Sequence, residues 1–193
     1  NELSGAASTF NNTGTYSKSV AAPTTISIAF NNTSSGPGTG VVNTSVDGLV
    51  LSGGGTANSG SSFNTPGVGL TVGGGYTLQL GSSIVAGAVT FITGNNSVGG
   101  SFSAQTTTFP SGSTTFTNTA TIANGGTVIV NGGTAVFNNT GWTVGTLDIG
   151  SGAMSGSSEV VVSGASSWTG GTMTGTGATT FNGPLTISGG TFH

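Results

Sequence analysis

The sequence predicts an all-β chain wound as a parallel β-solenoid of about nine to ten coils, roughly 20 residues to the coil. Three observations carry that expectation. The composition is rich in turn formers and poor in charge, two short motifs recur at a near-constant spacing, and no window supports a helix. Of 193 residues, 38 are Gly, 5 are Pro and none is Cys, and charged residues make up 3%. A typical soluble domain carries about 25% charge. Disorder pairs low hydrophobicity with high net charge, whereas this chain has a net charge of −3 and slightly positive mean hydropathy. Collagen needs Gly at every third position, and the glycines follow no such period. What remains is many short strands of Thr and Val joined by Gly and Asn corners.

The elements follow from two repeated motifs. The first is Phe-Asn-Asn-Thr, at Phe10-Asn11-Asn12-Thr13, Phe30-Asn31-Asn32-Thr33 and Phe137-Asn138-Asn139-Thr140, with looser copies at Phe63, Phe116 and Phe181. The second is an apolar–polar–apolar strand running into a Gly corner. It occurs at Leu49-Val50-Leu51, Leu70-Thr71-Val72, Leu78-Gln79-Leu80, Val128-Ile129-Val130, Leu147-Asp148-Ile149 and Leu185-Thr186-Ile187. Period-two alternation puts Leu49, Leu51, Leu70, Val72, Leu78, Leu80, Val128, Val130, Leu147, Ile149, Leu185 and Ile187 inward. By the same rule Val50, Gln79, Asp148 and Thr186 point outward. Coils are expected to start at Thr9, Ala29, Gly55, Tyr76, Asn95, Ser113, Thr134, Ala153 and Trp168, with a partial coil from Pro184.

One strand of three or four residues buries too little apolar area to hold itself together. Stacking coils about 4.8 Å apart pairs each strand with its neighbours and aligns inward side chains into columns. The nine or ten coils would then form a rod roughly 45 Å long. Asn side chains in such a stack can hydrogen-bond as a ladder along the axis. Residues 1–193 read as one solenoid domain, with 1–8 as a cap or tail and 33–44, where Pro37 lies between glycines, as a loop. The stretch from Asn95 to Gly112 alternates least and reads as a distorted coil.

The Phe-Asn-Asn-Thr units, the run from Trp168 to Phe181 and the segment Pro184-Leu-Thr-Ile-Ser-Gly-Gly-Thr191 resemble the very large β-strand-repeat surface proteins of bacteria. These are similar to filamentous haemagglutinin-like and autotransporter-passenger adhesins. The resemblance implies a right-handed parallel β-helix, secretion to the bacterial cell surface, and adhesive or structural work. It implies no catalytic residue.

Charge and chemistry narrow the function further. The charges are Glu2, Asp47, Asp148 and Glu159 against Lys18 alone. A nucleic-acid partner needs several cations to neutralise phosphates, and a polybasic membrane contact needs the same. No apolar run approaches the roughly 18–20 residues of a membrane-spanning helix. The chain opens at Asn1 without an initiator Met or a signal-peptide pattern, so a removed leader or an excised piece is expected.

Each candidate for chemistry has a plainer reading beside it. Asp148 and Glu159 lie in neighbouring coils and could form the carboxylate pair of a polysaccharide-active enzyme; two solvated strand residues are the plainer reading. A lone His193 at the chain end suits neither a nucleophile–base pair nor a metal site. Sequons at Asn11, Asn31, Asn32, Asn43, Asn95 and Asn138 are no more than this composition yields by chance. Trp142, Trp168, Tyr16 and Tyr76 are scattered, which suits core filling better than a sugar-stacking surface. Thr106-Thr107-Thr108, Thr114-Thr115 and Thr179-Thr180 raise ice binding but do not recur as Thr-x-Thr in every coil.

The expected function is mechanical: a non-enzymatic, cofactor-free extracellular rod, part of a filament, surface layer or adhesin stalk. A carbohydrate- or ice-binding module is the alternative, and a polysaccharide-active enzyme the third reading. Surface glycans are a further expected partner; nucleic acid and membrane insertion are not. The last residues, Ser188 to Phe192, break off within a repeat. End-to-end self-association through strand edges, or continuation in a larger chain, is expected on that ground.

Overall fold

The computed structural model describes residues 8–117, 120–122 and 125–192. These form a β-solenoid of about 9 turns, built from parallel strands with no helix among the described residues. The first coil is β1 (Thr9–Asn12), β2 (Thr15–Lys18) and β3 (Thr24–Ile26); the second is β4 (Ala29–Asn32), β5 (Val41–Thr44) and β6 (Leu49–Leu51). Three coils then merge their second and third strands across a corner. They are β7 (Gly55–Ala57) with β8 (Ser62–Val72), β9 (Tyr76–Leu78) with β10 (Ser83–Phe91), and β11 (Asn95–Val98) with β12 (Ser101–Phe109). The sixth has β13 (Ser113–Phe116), β14 (Thr121–Ile122) and the start of β15 (Thr127–Phe137). Next, β15 and β17 (Thr146–Gly156) each bend from one coil into the following one, with β16 (Trp142–Val144) between them. After β18 (Val160–Val162) and β19 (Ser166–Trp168) come β20 (Thr172–Met173), β21 (Thr179–Phe181) and β22 (Leu185–Ile187), and β23 (Thr191–Phe192) begins a further coil.

Each coil therefore has three faces, and strands of one face pair only with strands of the same face above and below. Face one climbs from β1 through β4, β7, β9, β11 and β13 to the second halves of β15 and β17, then β20 and β23. Face three climbs from β3 through β6 and the second halves of β8, β10 and β12 to the starts of β15 and β17, then β19 and β22. Face two begins as β2, β5 and the first halves of β8, β10 and β12, then β14; β16, β18 and β21 form a separate sheet.

The coil period varies around the expected spacing. Thr9 lies opposite Ala29, whereas Asn95 lies opposite Ser113, a shorter step. The long step, from Asn32 to Ala57, contains the loop after Thr33. That loop ends at Gly40, because Val41–Thr44 is strand β5, paired to β2 and β8. The expected loop over 33–44 is thus shorter. Thr39 closes it: its Oγ1 accepts from the amides of Ser35 and Gly36 and donates to the Gly36 carbonyl. The Asn95 to Gly112 stretch is regular, with β11 and β12 paired on both sides. Two coil starts shift: Ala153 lies opposite Thr172, not Trp168, and Thr172 opposite Thr191, not Pro184.

The inward columns fill the tube with aliphatic and aromatic side chains. Leu49, Leu51, Leu70, Val72, Leu78, Val128, Val130, Leu147 and Ile149 are all buried. Leu80 is not; it is 64% exposed. β9 stops at Leu78, and the Ser82 amide donates to the Gln79 carbonyl to turn the corner, so the alternation of Leu78-Gln79-Leu80 ends before Leu80. Rings of Phe91, Phe102, Phe109, Phe116, Phe137 and Trp142 pack on one another at centroid distances of 4.8–6.4 Å. Gly156 lies opposite Phe137 with φ of 124°, and a Cβ there would collide with the Phe137 carbonyl oxygen. Only a residue without a Cβ fits that close approach.

Asparagines of the Phe-Asn-Asn-Thr motif form the expected ladders, in two columns. Inside, Asn12 Nδ2 donates to Asn32 Oδ1 at 2.8 Å, and Asn32 Nδ2 donates onward to the Ser62 carbonyl. Outside, Asn31 Nδ2 donates to Asn11 Oδ1 at 2.9 Å, and the Thr56 amide donates to Asn31 Oδ1. A further outer link joins Asn64 to Asn43. Lys18 is inward in the first coil. Its stem lies buried, and Nζ donates to the carbonyls of Val20 and Val46, each at 2.8 Å.

Candidate functional site

The acidic pair does not assemble. Asp148 lies on face three, opposite Ile129 and Ser167, and its Oδ1 accepts from the Ser167 amide at 3.1 Å and the Ser167 hydroxyl at 2.7 Å. Glu159 is exposed just before β18, on face two. The two residues expected to approach each other thus stand on different faces of the tube. No group of three or more His, Cys, Asp or Glu side chains comes together among the described residues. Glu2 and His193 lie outside the described residues.

The aromatic candidates are core side chains: Tyr76, Trp142 and Trp168 are buried, and Tyr16 packs against the core from the first coil. Burial in an apolar column pushes the Tyr76 phenol well above its ordinary range, because the phenolate would lose its hydration. Its hydroxyl has no hydrogen-bond partner among the described residues, nor have the buried hydroxyls of Thr44 and Thr65. Of the sequons, Asn32 is fully buried in the inner ladder. The Asn138 side-chain oxygen is held by the amide and hydroxyl of Ser157.

Threonine columns do exist on face three, at residues the sequence does not single out as a set. Thr71, Thr90 and Thr108 stack outward in successive coils, and Thr106, Thr127 and Thr146 form a second column beside them. Coil steps of unequal length scatter them along the chain and hide the pattern. The first column passes on to Ile129 and Asp148, and the second is preceded by Gly69 and Ala88, so both are threonine in one coil alone, at Thr106 and Thr108.

The open edge of the last coil is the most distinctive feature of the surface. Strands β21, β22 and β23 are paired to the coil before them and have no partner on the other side among the described residues. In the face-three column, Ile149 and Trp168 are each 1% exposed, whereas Ile187 above them is 51% exposed. Leu185 and Phe181 are half-buried for the same reason. Leu185 and Ile187 hold the inward register expected of them; what they lack is a following layer. An apolar groove of about 400 Å³ results, lined by Phe137, Met154, Met173, Phe181, Leu185 and Ile187.

No family model matches this chain, and no curated protein or solved structure does either.

Proposed function

We propose that the protein is a structural and adhesive element outside a bacterial cell, a stiff rod forming part of a filament, surface layer or adhesin stalk. One observation carries this reading: coils are bonded to their neighbours along parallel ladders on three faces, two of them running through the whole described stack and the third in two segments. Pulling along the axis therefore loads many backbone hydrogen bonds together. The outer faces are nearly free of charge and offer hydroxyls and amides, which suits adhesion to neutral surfaces such as glycans. The reading assigns no catalytic residue and no cofactor. An antibody raised against this chain should label surface structures on intact cells of the source organism, and external protease should remove the label. Antigen found only inside intact cells would refute the proposal.

A second reading, a water-ordering or ice-binding face, is favoured by the threonine columns on face three. Burial of Tyr76, Trp142 and Trp168 removes them as a sugar-stacking platform and places glycan binding behind it. Thermal hysteresis in a solution of the protein, abolished by Thr108→Tyr, would support the second reading. Its absence would leave the rod alone.

A further inference from the structure

We infer that a furrow along the side of the tube, at the corner between faces two and three, binds an uncharged, extended polysaccharide chain laid parallel to the solenoid axis. The inference rests on the adhesive reading above and deepens it by naming the site and the class of ligand.

The furrow is a product of stacking. Ser17, Asn43, Asn64, Val85 and Ser103 stand outward at one position of face two in successive coils. Beside them the corners leading to face three grow shorter. Residues 19–23 join β2 to β3 and 45–48 join β5 to β6, whereas β8, β10 and β12 run on into face three without a break. A concavity of about 440 Å³ lies along this line, with Ser17, Ser19, Asn43, Ser45, Asn64 and Pro66 in its lining. A second, of about 310 Å³, begins at the same Pro66 and continues past Val85 and Ser103. At about 4.8 Å per coil the two together run for about 20 Å. At their centre β5 and the first half of β8 are paired on both sides, so the furrow belongs to the flank of the stack.

Three observations fix what it can hold. First, Asn64 Nδ2 donates to Asn43 Oδ1 at 3.3 Å, which orients both amides. Asn43 Nδ2 is left as a donor and Asn64 Oδ1 as an acceptor one coil away, neither with a partner among the described residues. Sugar hydroxyls both donate and accept, so a polysaccharide satisfies the two together. The coil rise is close to the length of one ring in an extended β-linked chain, so successive rings meet successive coils. Second, Pro66 is exposed and Val85 is 46% exposed. With the Trp side chains buried, these two offer the apolar contact for the C–H face of a ring, beside a few placed polar groups. Third, no positive charge faces the furrow. Lys18 is the sole Lys or Arg of the chain, is 7% exposed, and its Nζ is held by the carbonyls of Val20 and Val46. Asp47 is exposed two residues on from Ser45, within about 7 Å along the chain, and repels an acidic ligand. Neutral chains are therefore preferred over carboxylated or sulfated ones.

The test uses the 193-residue chain with the soluble hexasaccharides of cellulose, mannan, xylan and chitin as neutral probes, and hexagalacturonate as the acidic one. Nuclear magnetic resonance follows the asparagine side-chain amides, and isothermal titration calorimetry gives the affinities. At least one neutral hexasaccharide is expected to move the Asn43 and Asn64 signals, and hexagalacturonate to bind roughly tenfold more weakly or worse. Asn43→Ala should weaken the neutral ligand by roughly three- to tenfold, as one hydrogen bond is lost. Thr77→Ala, on face one, should leave the affinity unchanged. Asn64→Ala takes the place of Asn43→Ala should circular dichroism show that the latter disturbs the fold. The furrow would be overturned as a glycan site by silence of all four neutral probes, or by hexagalacturonate binding as tightly as any of them. Neutral binding that Asn43→Ala and Asn64→Ala leave unaltered would overturn it too. Each of those results would leave the rod standing, since surface labelling of cells tests that reading without any ligand.

Discussion

Replacing Ile149 by Asp tests the inward register at a point where the tube is closed on all sides. Ile149 is 1% exposed and lies between Val130 below and Trp168 above. Losing the isoleucine from the column costs about 2–3 kcal/mol of burial. The carboxyl faces no cation there, since the sole Lys lies in the first coil. Full burial raises a carboxyl pKa by up to about 3–5 units, and each unit is worth about 1.4 kcal/mol. Taking the lower end, the variant should lose about 6 kcal/mol at pH 7. The sign follows from linkage: the folded pKa is raised, so the charge penalty is complete above that value. It fades as pH falls toward the unfolded value of about 3.9, leaving the packing loss. Urea unfolding followed by circular dichroism, at pH 7 and near pH 4, measures both parts. Val50→Asp, at an outward position, serves as control and should cost about 1 kcal/mol or less. Equal midpoints for the two variants, or an Ile149→Asp midpoint unchanged from the parent, would refute the inward assignment.

Four further substitutions probe three separate features. Tyr76→Phe should leave stability unchanged or raise it by about 1 kcal/mol, because it removes a buried hydroxyl with no partner among the described residues. With its pKa raised, Tyr76 stabilises the fold fully below the unfolded value of about 10, and that stability falls as pH climbs beyond it. Alkaline unfolding should therefore shift to higher pH in Tyr76→Phe, and an unmoved transition would contradict this. Asn32→Ala should cost about 1–3 kcal/mol in urea unfolding, since it removes two hydrogen bonds inside the tube, from Asn12 Nδ2 and to the Ser62 carbonyl, and leaves Asn12 Nδ2 only the Val41 carbonyl; Asn11→Ala on the outer ladder should cost about 0.5 kcal/mol or less. Equal effects would show that burial does not distinguish the two columns. Gly156→Ala should cost more than about 1 kcal/mol, as it adds a Cβ against the Phe137 carbonyl at positive φ; a neutral result would mean that the corner relaxes freely.

Much of this architecture is legible along the chain, for a definite reason. Inward and outward positions alternate with period two, and coils recur at a near-constant spacing, so local pattern alone places Leu49, Leu70, Val128 and Leu147 inside. The same local reasoning fails at Leu80, where the strand ends and the next residues turn. It also errs between Thr33 and Thr44. There Val41–Thr44 reads as loop by composition but is held as β5 by strands far away in the chain, through Thr15 before it and Ser62 after it. Pattern cannot see such pairing, because the partners are remote in sequence.

What the sequence by itself determined is the class of fold: too little charge and too few helix formers for anything but strands, and too short a strand repeat to stand without stacking. What only the tertiary structure decided is which residues become neighbours across coils. Coil steps of unequal length must be laid side by side before Thr71, Thr90 and Thr108 become a column, or Asp148 and Glu159 turn out to occupy different faces. Exposure at the last coil is likewise a property of the stack. Ile187 has the same alternation as Ile149, and it is open because burial in a solenoid comes from layers on both sides, which no local sequence pattern encodes.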